Sequence, residues 1–388
     1  MEAKGKVHIS IGENLDKISV KCVIEFALPI ENFRFKLGLP LKIDSIDADV
    51  DVEWDELRAI KAQHPVRPDV REINVSAANP FKKLTVGYSG RPYGWLNDIS
   101  GSSGDGLQIA LFQSSSWRVY ETSVPVDFAL VFEDTANYDV WEYYSTGIFA
   151  FKKGLYFTAV HEDFAVHCIK QSHKEYIRFC AEYFNKITAF YSALYCPIDF
   201  GKFEVLIMDI NDSEGALIGE SLLVIGKVPD FANAEEMRHH AMILIGHEFG
   251  HGWFGADWSS WEVWLGETGA EWSALLYLLT EGETKCFDNR IAQLQKFEEE
   301  FDTIDNSYVI KTADLSCPQF GAHTRGALLF YEVYRRYGTD AIKTILLTMG
   351  ELDAPDTEML LAKLRIKLGE EIPNLIERGL TARDYSVL

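Results

Sequence analysis

The chain has 388 residues, 47% apolar and 25% charged, a balance that excludes a disordered or fibrous chain and allows two or three domains with cores of their own. Its 37 Lys and Arg against 59 Asp and Glu leave a formal net charge of −22 with no compact basic patch, which excludes nucleic acid as an expected partner. The start of the chain has no apolar stretch of signal length and no segment reaches membrane-spanning length. The six cysteines, Cys22, Cys168, Cys180, Cys196, Cys286 and Cys317, form no CxxC pair, so a reduced, cytoplasmic protein without a membrane partner is expected.

From residue 7 to about residue 160 the chain reads mainly as strands. Lys6 to Ile11, Ile18 to Phe26, Ile43 to Val52, Glu72 to Val75 and Leu84 to Tyr88 alternate or are rich in β-branched residues, with Gly, Pro, Asn and Asp between them. Gly101 to Gly106 reads as a Ser/Gly turn, and Leu107 to Phe112, Val126 to Phe132 and Gly154 to Val160 as further strands. The period then changes. Ser172 to Leu194 reads as a helix, Phe203 to Met208 and Leu222 to Ile225 as strands, and helical patterning dominates from Ala234, through Ala322 to Tyr337, Asp340 to Met349 and Thr357 to Leu368. The expected fold class is α+β in two domains, a β-rich, sandwich-like domain over 1–160 and a mainly helical domain with a small sheet over 161–388.

The chemistry concentrates in His247-Glu248-Phe249-Gly250-His251. Four residues return a helix to nearly the same face, so His247 and His251 can hold one metal together. Glu248 projects beside them, where it can take a proton from a water on that metal. Downstream, Trp264-Leu265-Gly266-Glu267-Thr268-Gly269-Ala270-Glu271 places two carboxylates four apart on a second helix. One of them is a candidate third ligand, and the other a candidate acceptor for the free N–H of a ligand histidine. The expected cofactor is Zn2+, whose catalytic sites hold three protein ligands and keep one position open.

These residues resemble the gluzincin metallopeptidases of the aminopeptidase N and leukotriene hydrolase family, whose pattern runs HExxH-x-Trp-Phe-Gly and then Trp-Leu-Asn-Glu-Gly-Phe-Ala. Here the same places read His251-Gly252-Trp253-Phe254-Gly255 and Trp264-Leu265-Gly266-Glu267-Thr268-Gly269-Ala270. The resemblance implies a thermolysin-like zincin domain with His247, His251 and Glu267 as zinc ligands and Glu248 as general base. Glu267 follows His251 by sixteen positions, three fewer than in the family, while Glu271 follows by twenty, which is the thermolysin spacing and makes it a rival. With Glu267 as ligand, Glu271 resembles the carboxylate that backs a zinc histidine in thermolysin-like enzymes. The resemblance runs from about Glu175 to Gly350, with a fainter match of the N-terminal region; the family's long C-terminal helical domain is not expected, and a more open cleft is.

Two departures bear on mechanism. The family binds a peptide's amino terminus through the Glu of a Gly-Ala-Met-Glu-Asn edge strand; the matching run here is Gly215-Ala216-Leu217-Ile218-Gly219, with Ile218 in the glutamate's place and Glu220 as a candidate substitute. The family's oxyanion-stabilising tyrosine is matched by His323, an imidazole able to donate to the same charge. Arg325 is a candidate for a substrate carboxylate and Tyr331 the fallback oxyanion donor. The expected activity is hydrolysis of short peptides, as an aminopeptidase with altered recognition of the N-terminus. The competing readings are a zinc-containing peptide-binding or scaffold protein and a hydrolase of a non-peptide amide or epoxide.

Overall fold

The computed structural model describes residues 2–12, 17–60, 69–91, 108–112, 117–133, 138–143, 147–153, 157–161, 164–199, 201–207, 216–218, 222–225, 228–255, 260–302, 309–311, 318–352, 354 and 356–382. In the first sheet β1 (Ala3–Ile11) pairs antiparallel with β2 (Ile18–Gly38), and β2 with β5 (Val70–Gly90). The strands β3 (Lys42–Ala48) and β4 (Glu53–Ile60) take the two halves of β5, and β7 (Val126–Glu133) lies parallel to β1. A second, antiparallel sheet holds β6 (Gln108–Phe112), β8 (Tyr138–Tyr143) and β9 (Gly147–Lys152). Alternation buries Val7 and Ile9 of β1 and Ile18, Val20, Cys22, Ile24 and Phe26 of β2 on one face, where they meet Phe33, Phe35, Val86 and Trp117.

The short segments expected at Glu72 to Val75 and Leu84 to Tyr88 are parts of one strand, and β2 runs on past Phe26. Pro29 and Pro80, which lack an N–H, sit where the β2–β5 register shifts between Glu25 and Asn32. The ladder absorbs both prolines at an irregularity instead of ending there. The strand β4 has no clear alternation, because all but its last residue are exposed. The expected turn at Gly101 to Gly106 lies outside the described residues.

A third sheet runs in the order β10 (Phe157–His161), β11 (Phe164–Cys168), β12 (Phe203–Ile207), β14 (Leu222–Ile225), β13 (Ala216–Ile218). The helices are α1 (Lys174–Leu194), α2 (Ala234–Gly250), α3 (Val263–Thr280), α4 (Thr284–Asp302), α5 (Pro318–Met349), α6 (Thr357–Leu368) and α7 (Glu371–Gly379). Within α5, Gly338 at φ 78° breaks the helical path between the two helices expected there. The fold is α+β. The chain divides into two compact units, Met1–Thr158 with His167–Lys174 and Glu204–Pro229, and Ala159–Val166 with Glu175–Phe203 and Asp230–Leu388. Among the described residues no helix is long and apolar enough to cross a membrane, and Cys22, Cys168, Cys180, Cys196 and Cys286 are in no disulfide.

One buried imidazole makes the first unit sensitive to acid. His167 on β11 is 7% exposed, with Nδ1 2.9 Å from Thr158 Oγ1 and its ring edge-on to Trp141 at 4.6 Å. Its Nε2 has no hydrogen-bond partner among the described residues, and Glu204 Oε1 is 4.0 Å away. Burial pushes this imidazole down to about 4. The unfolded chain therefore takes up a proton near pH 6.5 that the folded chain refuses, so stability is full above that pH and falls as pH drops toward 4. Between pH 7 and pH 4.5 this group removes about 2–3 kcal/mol. Urea unfolding should show His167→Phe losing that much less stability than the parent over the same range; equal losses would refute the assignment.

Candidate metal centre

The first histidine-bearing helix has a defined start. Asn233 accepts a hydrogen bond from Glu236 N at 3.0 Å, and Glu236 reaches back to Ala232 N at 2.9 Å. This reciprocal cap, with Glu235 and Glu236 in the first turn, suits the positive end of a helix dipole. The helix α3, which carries Glu267 and Glu271, is buried at every position from Val263 to Leu278, so it forms the centre of its unit.

Small residues bring the two together. A methyl group added at Gly246 would lie 2.8 Å from Ala274 Cβ, and one at Gly250 would lie 2.7 Å from Ala270 Cα. Two glycines four apart on α2 thus face two alanines four apart on α3, and the backbones approach as only glycine allows. Tyr191 of α1, fully buried, donates to Gly246 O at 2.8 Å and holds the same turn from behind. On the far side of α3, a methyl at Gly326 of α5 would collide with Thr268 Oγ1, which sets α5 equally close.

His247, His251 and Glu267 converge at this junction, with one ligand atom from each within 4.8 Å of the others. Glu267 Oε2 lies 3.3 Å from His247 Nε2 and 3.5 Å from His251 Nε2. Bonds of about 2.0–2.2 Å at tetrahedral angles put ligand atoms about 3.4 Å apart, so these separations fit a shared zinc ion. Each Nδ1 is engaged elsewhere: His251 Nδ1 donates to Phe254 O at 3.1 Å and His247 Nδ1 to Glu271 Oε2 at 3.0 Å. A carbonyl only accepts, so Nδ1 of His251 carries the proton and its Nε2 lone pair is free to ligate. Glu267 is 1% exposed, and its Oε2 accepts no aligned hydrogen bond although imidazole nitrogens crowd it. A buried carboxylate oxygen between two imidazole nitrogens at 3.3 and 3.5 Å fits a cation.

Electrostatics agree. Burial pushes the Glu267 carboxyl up, but His323, His251 and His247 together hold it well below the usual range. Burial likewise raises Glu271, and the Arg290 guanidinium and His247 outweigh it and hold the carboxyl low. Burial lowers the His247 imidazole, yet Glu267 and Glu271 hold it up at about 10. The metal-free junction thus retains protons that a divalent ion would displace on binding.

The other sequence-predicted residues divide. Glu248 is buried on α2 between the two histidines. His323, at the start of α5, has Nδ1 2.7 Å from Glu267 Oε2, with a side chain 44% exposed. Arg325 is fully buried with Nε 2.6 Å from Glu298 Oε1 of α4, and binding a substrate carboxylate would require breaking that pair. Tyr331 packs against Phe287 and Tyr334. Ala216 and Ile218 lie on the edge strand β13, and Gly215 and Glu220 lie outside the described residues. Sequence reasoning missed Arg290 of α4, whose Nε and Nη2 reach Glu271 Oε1 and Oε2 at 2.7 and 2.9 Å, and the Phe254 carbonyl. Arg290 has no motif spacing to mark it, and a carbonyl has no sequence signal at all.

The fold is similar to that of native yeast LTA4 hydrolase, with a TM-score of 0.55 at 13% identity over 96% of this chain and 66% of that one. The chain therefore spans just under two thirds of that protein's length. No family model matches the chain, and no curated protein matches it in sequence. At this identity the likeness is one of fold, and the chemistry rests on the junction itself.

Close approach of α2 and α3 is a condition of metal binding. Gly250→Ala should push α2 away from the Ala270 backbone, lower stability by about 1–3 kcal/mol and weaken Zn2+ at least about tenfold. Gly255→Ala, with nothing among the described residues within 4 Å of the added carbon, should do neither. Chelator-competition titrations of both variants decide it; parental zinc affinity in Gly250→Ala would count against the packing argument.

Proposed function

We propose that this protein is a zinc-dependent hydrolase of peptide bonds. The observation that carries the reading is the convergence of His247, His251 and Glu267 at zinc-like separations, with the carboxylate Glu248 on the same helix as both histidines. Bound there, zinc would lower the pKa of a water and polarise a substrate carbonyl. Glu248 takes the proton from the attacking water and passes it to the leaving amine as the C–N bond breaks. His323, partly exposed beside Glu267, donates to the oxyanion that forms on the carbonyl oxygen. Its place next to a ligand favours turnover over a binding-only or scaffold role, and the reading stands on peptides ahead of other amides and epoxides because of the family resemblance.

The proposed substrate is a short peptide. The family resemblance assigns Gly215 and Ala216 to main-chain recognition of an extended peptide, and β13 (Ala216–Ile218) is the edge strand of its own sheet. An isoleucine at 218 cannot pair with an ammonium group, so recognition of a free N-terminus would differ from the family's or fall to Glu220. The proposed zinc-bearing domain is 161–388, and cysteines outside any disulfide among the described residues suit a cytoplasmic location.

Glu248→Gln should retain stoichiometric zinc and lose about 10²–10⁴-fold in kcat/KM on a peptide library. His323→Phe should lower kcat about 10²-fold with KM little changed. Assays on free and N-blocked peptides, alongside metal analysis, test both. Undiminished cleavage by Glu248→Gln would sink the mechanism, and zinc binding by the parent chain without cleavage would favour the scaffold reading.

A further inference from the structure

Glu267 and Glu271 lie one turn apart on α3, each 1% exposed and each within 3.3 Å of a nitrogen of His247. By charge and reach, either carboxylate qualifies as the ligand. What separates them is a third helix. Arg290 of α4 forks onto Glu271, with Nε 2.7 Å from Oε1 and Nη2 2.9 Å from Oε2, and the same Oε2 accepts His247 Nδ1–H at 3.0 Å. Among the described residues Glu267 has no such fork: its Oε2 faces the two Nε2 atoms and His323.

We propose that Arg290 is a positioning residue of the metal centre, which reserves Glu271 for His247 and leaves Glu267 as the sole carboxylate ligand. The inference rests on the zinc reading given above. Two bare carboxylates this close and this buried cannot both stay ionised without cations. The guanidinium neutralises Glu271 in place, and its planar fork fixes the carboxylate where it can accept from His247. That hydrogen bond in turn orients the His247 ring with Nε2 toward the ligand set. Without the fork, Glu271 is free to turn onto the ion beside Glu267. A second carboxylate there would cancel one more unit of the ion's charge and occupy the position that substrate needs. Arg290 is partly exposed on a separate helix, so its replacement removes neither ligand.

The test uses the full chain, stripped of metal and titrated with Zn2+ against a chelator and with Co2+ by visible absorption. Arg290→Met should bind Zn2+ about 10–100-fold more weakly, with a changed Co2+ spectrum as Glu271 joins the coordination sphere. Arg290→Lys, which keeps the charge without the fork, should recover part of the affinity. In a Glu271→Gln background, Arg290→Met should add little, because the arginine acts through that carboxylate. Melting temperatures of the metal-free variants separate this from loss of fold, and if Arg290→Met folds poorly, Arg290→Lys carries the comparison alone. Parental affinity and spectrum in the arginine variants would overturn the proposal, as would full additivity with Glu271→Gln. Failure of the parent chain to take up zinc would instead overturn the metal centre itself.

Discussion

Everything at the metal centre depends on how closely α2 and α3 pack. Gly246 and Gly250 meet Ala274 and Ala270, and each donor of the centre sits one to three residues from that seam: His247 and His251 on one helix, Glu267 and Glu271 on the other. A glycine inside a helix costs about 1 kcal/mol against alanine, so two of them in one helix need a compensating gain. The gain is the burial of α3 on all sides, together with the short distance that lets side chains from two helices share one ion. A side chain at either glycine would meet α3 at 2.7–2.8 Å and push the two helices apart. The packing therefore comes first, and the ligand geometry follows from it.

Around that seam the charges are braced rather than exposed. The helix α4 provides both braces, Arg290 to Glu271 on α3 and, through Glu298, a partner for the buried Arg325 on α5. Ion pairs this deep do not add much stability in themselves, because the Coulombic gain is set against desolvation. Their use is positional. One pair orients the carboxylate behind His247, and the other fixes α5 within two residues of His323. A chain with a net charge of −22 also carries a field that draws a divalent cation toward a carboxylate-lined junction, although salt screens the distant part of it.

Local patterns made most of the helices and the histidine pair legible in the sequence, because a period of 3.6 and a spacing of four are both local quantities. The expected helix from Ser172 to Leu194 is α1, and the two expected after Ala322 are the parts of α5 on either side of Gly338. Long-range pairing was less legible. Pro29 and Pro80 fall outside the strands expected from the sequence, yet partner strands carry both across a register shift. Arg290 and Arg325 show the same limit in the site. As isolated basic residues both suggest a surface or a ligand, and only the tertiary fold supplies Glu271 and Glu298 as their partners. Glu267 and Glu271 were indistinguishable by helical phase for the same reason, since what separates them lies on α4.

A junction of two histidines and a glutamate is compatible with either a working or a silent metal site, so the decisive property is an open coordination position. In the proposed reading, three features of the chain would keep one. The nitrogens that do not face the junction are occupied, His251 Nδ1 by a backbone carbonyl and His247 Nδ1 by Glu271. The carboxylate best placed to close the site is itself tied to a guanidinium. His323 comes within 2.7 Å of Glu267 while keeping 44% of its side chain exposed, so it borders the junction from the solvent side. Among the described residues His247, His251 and Glu267 are the group that could hold a metal ion, and in the proposed reading the fourth position would fall to water and substrate, with Glu248 on the helix that carries His247 and is capped by His251.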